Sequence, residues 1–190
     1  MKDIILFGGG GHCKSVIDII ESEGKFHIAG IVDKKELFGE SVLAYKIFAS
    51  DEDLPQLRQK YTHAIISVGH IKSNAIRVKL YKQLKELDFI LPTIISPLAY
   101  VSKYSIIAEG SIILHHAIIN AGASVGCNSI INSKALVEHD AKVEDHVHIS
   151  TGAIINGGAC IKENTFFGSG AIIREYGVAS GFIKAGSIVK

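Results

Sequence analysis

A bulky apolar residue recurs at every sixth position through the second half of the chain. The thirteen positions are Val101, Ile107, Ile113, Ile119, Val125, Ile131, Val137, Val143, Ile149, Ile155, Ile161, Phe167 and Ile173. From 105 to 171, the residue four places after each of them is Ser, Ala or Thr, and only Val147 is larger. A period of six is neither helical nor the alternation of an ordinary strand, and it predicts a stacked β-helix.

In such a β-helix, three hexapeptides form one triangular coil of about eighteen residues. The large aliphatic side chain points inward and stacks on its equivalent in the next coil, while the small residue fits a tight corner. Thirteen hexapeptides give a little over four coils, above the minimum of roughly three repeats that a solenoid needs. Because the end coils expose strand edges, we expect caps or partner subunits there.

The six-residue period fails near the C-terminus. The apolar steps shorten to five from Ile173 to Val178 and from Val178 to Ile183, before Val189 restores a step of six. With glycine at 177 and 181, this irregularity predicts a bulged or looped-out coil from Arg174 to Gly181.

The first half of the chain reads as a small α/β unit. Continuous apolar runs predict buried parallel strands, and amphipathic segments predict helices between them. The strands are expected at 4–7, 28–32, 64–68 and 91–95, and the helices at about 14–23, 51–61 and 73–87. This order predicts half of a Rossmann-like fold over residues 1–96, followed by the β-helix over residues 97–190.

A glycine loop follows the first predicted strand. Gly8, Gly9, Gly10 and Gly11 lead through His12 into a helix, which favours phosphate because free amides and the helix dipole attract anions. Cys13 replaces the third glycine of the dinucleotide fingerprint, so we expect a nucleotide diphosphate rather than a full dinucleotide. A tight packing turn is the alternative. Asp33, after the second strand, is placed to accept from a ribose or base, or is a solvated turn residue.

Charge and composition exclude several function classes. The 190 residues carry a formal net charge of +1, which provides no basic field for nucleic acid and no polybasic membrane patch. No apolar run approaches the length of a membrane span, and the start is too short for a signal peptide, so a cytoplasmic protein without membrane insertion is expected. Three widely spaced cysteines argue against disulfides, and Cys13 and Cys127 are expected to be core thiols.

Histidines concentrate in the β-helix region. They are His115, His116, His139, His146 and His148. His139 falls between two inward positions and stands beside Asp140, and a carboxylate neighbour suits an imidazole for general-base catalysis. An isolated surface histidine without catalytic function is the plain alternative. Three imidazoles holding zinc across a trimer interface are another, but a metal does not explain the first domain, and we expect none.

The chain resembles the sugar O- and N-acyltransferases (NeuD/PglD-like proteins). The features that carry this resemblance are the glycine loop ending in His12, the half-Rossmann domain, and Glu138-His139-Asp140 on a hexapeptide β-helix. The resemblance covers essentially all of the chain, and its most specific segment continues through 145–150. It implies a left-handed parallel β-helix, acetyl-CoA as co-substrate, a nucleotide-sugar held by the first domain, and a homotrimer with active sites between subunits.

The resemblance also implies roles for individual residues. His139 would be the general base, Asp140 would orient it, and Asn132 would face the acceptor amine. His148 would contact acetyl-CoA, and the Gly157 amide would stabilise the thioester oxyanion. The residues matching the nucleotide-sugar loops are Gly8, Gly9, Gly10, Gly11, His12, Asp33, Gly69 and His70.

The function implied is N-acetylation of the 4-amino group of a UDP-linked 4-amino-4,6-dideoxy sugar, for glycan biosynthesis. O-acetylation of sialic acid or a related sugar is one alternative, since it needs the same base. A catalytically silent sugar-nucleotide-binding scaffold is another. Family members usually continue past the equivalent of 185–189 with a short tail that covers the cofactor, so we expect the distal acetyl-CoA contacts of this sequence to differ.

Overall fold

The computed structural model describes all residues 1–190, and the chain forms two compact units. The first contains 1–69 and 75–92, and the second contains 70–74 and 93–190. No helix in the structure is long and apolar enough to cross a membrane.

The first unit is an α/β domain with one five-stranded sheet. Its elements are β1 Lys2–Phe7, α1 Gly11–Glu23, β2 Phe26–Val32, β3 Ser41–Val42, β4 Tyr45–Ala49, α2 Leu54–Lys60, β5 His63–Ile66 and α3 Ala75–Glu86. The strand order is β3-β4-β2-β1-β5, and all neighbours are parallel except β3 and β4. The half-Rossmann prediction is thus confirmed, with β1 between β2 and β5 and its glycine loop at the carboxyl edge.

Two details of this unit differ from the prediction. The pair β3 and β4 extends the sheet beyond β2, where no strand was predicted. The strand expected at 91–95 does not join this sheet: only Ile90 forms a bridge, to His63. Ile94–Ile95 is instead the first strand of the second unit, because the backbone of this segment pairs with Ile112–Ile113.

The second unit is a parallel β-helix with three sheets of two-residue strands. Sheet I contains β6 Ile94–Ile95, β9 Ile112–Ile113, β12 Ile130–Ile131, β15 His148–Ile149, β18 Phe166–Phe167 and β21 Phe182–Ile183. Sheet II contains β7 Tyr100–Val101, β10 Ile118–Ile119, β13 Leu136–Val137, β16 Ile154–Ile155, β19 Ile172–Ile173 and β22 Ile188–Val189. Sheet III contains β8 Ile106–Ile107, β11 Ser124–Val125, β14 Lys142–Val143, β17 Cys160–Ile161 and β20 Val178–Ala179.

The register of these strands confirms the coil predicted from the period. Val137 pairs with Ile119 below and Ile155 above, so neighbours in a sheet are eighteen residues apart. The second residue of most strands is buried, as are the small residues at the corners such as Ala135 and Ala153. Each coil therefore contributes large side chains from three faces and small ones from three corners to one apolar column.

Each corner of a coil contains one residue in the left-handed backbone region. The position recurs every six residues from 110 to 176, and eight of these twelve residues are glycine, Asn or Asp. The other four are His116, Lys134, His146 and Tyr176. Glycine and short polar residues enter this region at the least cost. The turn chemistry of the repeat is thus built into the sequence beside the apolar period.

The irregularity near the C-terminus is not the looped-out coil predicted for Arg174 to Gly181. The turn after β19 is regular, and Ala179 pairs with Ile161 at the inward position, six residues after Ile173. The step from Ala179 to the next inward residue, Ile183, is four instead of six. The coil is shortened by two residues at its next corner, where only Ser180 and Gly181 join β20 to β21.

Candidate active site

His139 lies on the corner between β13 and β14, which is the edge joining sheets II and III. Its side chain is exposed, and its Nδ1 is 2.9 Å from Oδ2 of Asp140. Asp140 occupies the left-handed corner position, at φ 59°, which turns its carboxylate back toward the preceding residue. The local backbone therefore creates the histidine–carboxylate pair that the sequence indicates.

The carboxylate changes the protonation of the imidazole. The pKa of His139 is raised above its ordinary value of 6.5, first by the hydrogen bond to Asp140 and further by the charges of Asp140 and Glu138. Glu138 is itself held by the side-chain amide of Asn120, at 2.7 Å. With Nδ1–H donating to Asp140, the neutral imidazole presents the lone pair of Nε2, as a general base requires.

Gly157 lies one coil above His139, eighteen residues further along the chain. A Cβ built on Gly157 would be 2.8 Å from both Cε1 and Nε2 of the imidazole, closer than real Cβ atoms approach. The Gly157 amide donates to no acceptor in the chain, whereas the next amide, of Gly158, donates to the His139 carbonyl. The residue that borders Nε2 thus carries an unused N–H, and such a donor can stabilise an oxyanion.

Asn132 and His148 form a second polar group, on the outside of sheet I and the edge joining it to sheet II. Nδ2 of Asn132 is 3.1 Å from Nε2 of His148, and Oδ1 of Asn132 accepts from the Ser133 amide. Nδ1 of His148 is 2.7 Å from the His70 carbonyl, so it carries a proton. Because Nε2 accepts from the amide of Asn132, the geometry fixes a neutral imidazole and the orientation of Asn132.

His148 is buried within a small aromatic group. The ring of His70 is 5.3 Å away and that of Phe166 is 5.2 Å away, both edge to face, and Phe166 stacks on Phe182. His70, predicted among the nucleotide-sugar loops, belongs to the same unit as the β-helix. No feature of the sequence indicates the contact between the His70 carbonyl and His148.

Within one chain, the structure does not bring Asn132 and His139 together. They lie on successive edges of the coil, separated by the whole face formed by β13. A face of about five extended residues is on the order of 15 Å long. A general base works within hydrogen-bond reach of its proton, so these two side chains cannot serve the same site in a single copy of the chain.

The remaining histidines are also distributed over different edges. Nδ1 of His115 contacts Oγ of Ser96 at 2.7 Å, and Nδ1 of His146 contacts Nδ2 of Asn128 at 3.0 Å. His116 is exposed at a left-handed corner position. No group of three or more His, Cys, Asp or Glu side chains in the chain is arranged to hold a metal ion.

The glycine loop of the first unit is held by its neighbours at one end and open at the other. Gly8 has φ 107°, and a Cβ there would be 2.4 Å from Cγ2 of Val68. The Gly9 amide donates to Oδ2 of Asp33 at 2.5 Å. Gly10 and Gly11, at the start of α1, have no neighbouring atom where a Cβ would stand. The exposed first turn of a thirteen-residue helix with this open approach fits a phosphate group.

The carboxylate of Asp33 stabilises this loop. One oxygen accepts from the Gly9 amide, and the other accepts from the amide of Lys34. Gly69, also predicted to contact the nucleotide, lies against His12: a Cβ on Gly69 would be 3.2 Å from the Cβ of His12. The loops after β1, β2 and β5 therefore meet at one edge of the sheet.

The cysteines divide into one buried and two partly exposed thiols. Cys13 is buried in α1, and burial raises its pKa to about 11, which keeps the thiol protonated at neutral pH. Cys127, predicted to lie in the core, is instead partly exposed at a corner of the β-helix. The prediction was wrong for Cys127 because the residue that precedes the left-handed position, here Asn128, points outward, whereas the residue that follows it is buried.

Known proteins are similar to this chain in the first unit and in the β-helix. Residues 3–84 match the family model of the PglD N-terminal domain. A curated relative, the UDP-N-acetylbacillosamine N-acetyltransferase of Bacillus subtilis (strain 168), is 31% identical over 124 residues, which are 60% of this chain and 52% of that protein. The chain thus spans about half the length of this curated relative.

Solved structures match over nearly the whole chain. The acetyltransferase domain of PglB from Neisseria gonorrhoeae FA1090 has a TM-score of 0.91 at 27% identity, covering 100% of this chain and 92% of that one. The same domain in complex with acetyl coenzyme A has a TM-score of 0.88 at 28% identity, covering 99% and 92%. A histidine mutant of perosamine N-acetyltransferase from Caulobacter crescentus, in complex with CoA and GDP-perosamine, has a TM-score of 0.72 at 26% identity, covering 99% and 93%.

Proposed function

We propose that this chain is an acetyl-CoA-dependent N-acetyltransferase. The premise is its resemblance in sequence and fold to the PglD-like sugar acyltransferases, which these matches confirm. Its acceptor is the 4-amino group of a nucleotide-linked 4-amino-4,6-dideoxy sugar. The observation that carries the proposal is the arrangement at His139, with a carboxylate at Nδ1 and the unused Gly157 amide beside Nε2. Both the nucleotide-sugar and acetyl-CoA are cytoplasmic metabolites, so the proposal places the enzyme in the cytoplasm.

In this proposal His139 moves one proton in a direct transfer. Its Nε2 accepts a proton from the sugar amine as the nitrogen attacks the thioester carbonyl and the C–N bond forms. The Gly157 amide donates to the oxyanion, and the C–S bond then breaks as the proton passes to the leaving sulfur. Asp140 holds the imidazole in the required tautomer and stabilises its charged form. No covalent enzyme intermediate is needed, so the protonated thiol of Cys13 takes no part.

The acceptor contacts of Asn132 and His148 require a second copy of the chain. These residues lie on the edge between sheets I and II, while His139 lies on the edge between sheets II and III. In a homotrimer the first edge of one subunit is placed beside the second edge of its neighbour, and three equivalent sites result. His148 then keeps Asn132 facing the amine and stands close to acetyl-CoA.

The outer surface of sheet II supports this assembly. Its outward side chains are all apolar, and they are Tyr100, Ile118, Leu136, Ile154, Ile172 and Ile188. On sheet III the equivalent row contains Ser124, Lys142 and Cys160 between apolar residues. A continuous apolar stripe between the two edges that must meet is the surface expected to contact another subunit.

The first unit supplies the nucleotide-sugar site in this proposal. The amides of Gly10 and Gly11 and the start of α1 receive the diphosphate, and the loops containing His12, Asp33 and Gly69 surround the sugar and the nucleoside. The relatives support a nucleotide-linked amino sugar as the acceptor, with UDP in the name of one and GDP in the ligand of another.

The test is an acetyl-transfer assay that follows release of the CoA thiol. Purified full-length protein is given acetyl-CoA with a UDP-linked 4-amino sugar, a GDP-linked 4-amino sugar, or free sialic acid. We expect turnover with one of the nucleotide-sugars and its loss, by at least about a hundredfold, in His139→Ala. Turnover with sialic acid alone would establish the O-acetyltransferase alternative. Binding of a nucleotide-sugar with no turnover in the wild type would instead establish the silent scaffold.

A further inference from the structure

Arg77, in the first turns of α3, is the largest fully buried side chain of the protein. Burying a charged group is costly unless hydrogen bonds compensate it. Nη1 of Arg77 donates to the carbonyls of Ile66 and Val68, at 2.5 and 2.9 Å. Burial lowers the pKa of Arg77 to about 9, so the guanidinium remains protonated at neutral pH. The side chain therefore holds the end of β5 and the residues that follow it with a charge-assisted donor.

The two carbonyls that Arg77 holds flank Ser67, which contacts the glycine loop directly. Oγ of Ser67 donates to the Gly8 carbonyl at 2.6 Å, and the Ser67 amide donates to the Phe7 carbonyl at 2.8 Å. Val68, on the other side, lies against the Cα of Gly8 so closely that no Cβ would fit there. Arg77 thus fixes both neighbours of the serine that determines where Gly8 lies.

We propose that Arg77 is a positioning residue for the glycine loop, acting through Ser67 and Val68 without touching the nucleotide-sugar. The loop is then fixed from two sides. Asp33 holds the Gly9 amide, and the Arg77-supported end of β5 holds the Gly8 carbonyl. Because no atom lies where a Cβ of Gly10 or Gly11 would stand, only α1 and these two supports fix the direction of their amides. The part of this inference that concerns the nucleotide-sugar rests on the proposed function.

The plain alternative is that Arg77 only packs α3 onto the sheet. Leu80 provides the matched control, because it is a buried residue one turn later on the same helix and belongs to the apolar core of the unit. Leu80→Ala should destabilise the unit by cavity formation without changing the contacts at β5. Ser67→Ala removes the link to Gly8 while keeping the buried arginine in place. It also preserves the test if Arg77→Met does not fold.

The first experiment needs no ligand. Hydrogen exchange of the full chain is compared between wild type, Arg77→Met, Ser67→Ala and Leu80→Ala, for a peptide that covers the glycine loop. We expect the exchange rate of the loop to rise about fivefold or more in Arg77→Met and Ser67→Ala. In Leu80→Ala the loop should exchange no faster than the loss of global stability accounts for. Unchanged loop exchange in a folded Arg77→Met or Ser67→Ala variant, or an equal effect of Leu80→Ala, would overturn the proposal.

The second experiment measures binding and turnover. UDP, GDP and acetyl-CoA are titrated separately, and we expect the Kd of the nucleotide that binds to rise about tenfold in Arg77→Met while the Kd of acetyl-CoA stays the same. In Arg77→Met the KM for the nucleotide-sugar should rise, while kcat should stay within about twofold of the wild-type value. Arg77→Lys should recover part of the lost affinity because it keeps the charge but not the planar fork. An equal loss of affinity for the nucleotide and for acetyl-CoA in Arg77→Met would overturn the proposal. If the wild type binds neither nucleotide, the proposed function fails at this site, and the exchange experiment still decides the role of Arg77.

Discussion

Gly157 stands directly above His139 in the β-helix, and the space that a Cβ on Gly157 would need is already filled by the imidazole. The glycine is not required by its own backbone, because its φ is not in the left-handed region. Its missing side chain instead leaves room for the imidazole, and the Gly157 amide donates to no acceptor in the chain. One small residue thereby defines both the position of the proposed base and the proposed oxyanion donor.

We therefore expect Gly157→Ala to displace the His139 ring and lower kcat by about 10- to 100-fold, since a small misplacement of a catalytic group is costly. Thermal unfolding should change little because the backbone conformation suits alanine. Steady-state kinetics and a melting curve of the same preparation check this.

Gly186→Ala is the control for this substitution. Gly186 has φ 69° in the last coil, and no atom lies within 4 Å of a Cβ there. Alanine at this position should cost about 1 kcal/mol of stability through left-handed strain and leave kcat unchanged. Wild-type kcat in Gly157→Ala would show that the ring does not need the space above it.

The pairing of Asp140 with His139 predicts a particular pH dependence. A base must be unprotonated, so kcat/KM falls as pH drops through the pKa of His139, which the Asp140 hydrogen bond raises above its ordinary value. Asp140→Asn removes the charge, so the acidic limb of the profile should shift to lower pH. The maximal rate should fall by about 10- to 100-fold, because the imidazolium formed in the transition state loses its partner.

A similar histidine–carboxylate pair in the first unit serves as the control. Nδ1 of His27 is 2.8 Å from Oδ1 of Asp3 on the exposed surface. Asp3→Asn should leave the pH profile of acetyl transfer unchanged. An acidic limb that stays in place in Asp140→Asn would assign the titration to a group other than His139.

The separation of Asn132 and His139 on two edges predicts complementation between inactive subunits. His139→Ala and Asn132→Ala homotrimers should each retain less than about 1% of the activity. In mixed trimers, a site that takes His139 from one variant and Asn132 from the other is intact. A cyclic trimer that contains both variants has one intact site of its three, so purified mixed trimers should recover about a third of wild-type activity.

Mixed trimers are purified through two different affinity tags and assayed for thiol release. Equal mixtures of the separately purified homotrimers, which do not exchange subunits during the assay, give the background. Mixed trimers that remain as inactive as either parent would mean that no site combines His139 of one subunit with Asn132 of another, and the shared-site proposal would be wrong.

The repeat allowed the β-helix to be predicted in detail, because coil length and side-chain direction both follow from the six-residue period. Even the stacking of Gly157 on His139 follows from adding one coil of eighteen residues. The break near the C-terminus was predicted as a bulge over 174–181, whereas it is a shortening at 180–181, and the reason is physical: Ala179 takes an inward position at which larger residues are usual. A series counted from bulky residues passes over Ala179 and spreads the irregularity over the whole segment.

Contacts that depend on the path of the chain could not be predicted. The His70 carbonyl reaches His148 across 78 residues of sequence, and nothing local in either segment indicates the other. Arg77 stands in an amphipathic helix as a charged residue normally exposed to solvent. Its burial is explained only by the structure, in which the carbonyls of Ile66 and Val68 accept hydrogen bonds from its Nη1.

The apolar surface of sheet II provides the last prediction. Ile154 is central in the outward row of that sheet, and a carboxylate there would have to be desolvated wherever another subunit covers the row. Ile154→Asp should therefore convert a trimer of about 61 kDa, three chains of 20.4 kDa each, into monomers, and acetyl transfer should be lost with it. Ile106 is the control, because it is an exposed isoleucine in the outward row of sheet III, and Ile106→Asp should leave a trimer. Light scattering coupled to gel filtration distinguishes the two masses. A trimer in Ile154→Asp, with monomers in Ile106→Asp, would place the subunit contact on sheet III and leave the edges of Asn132 and His139 apart.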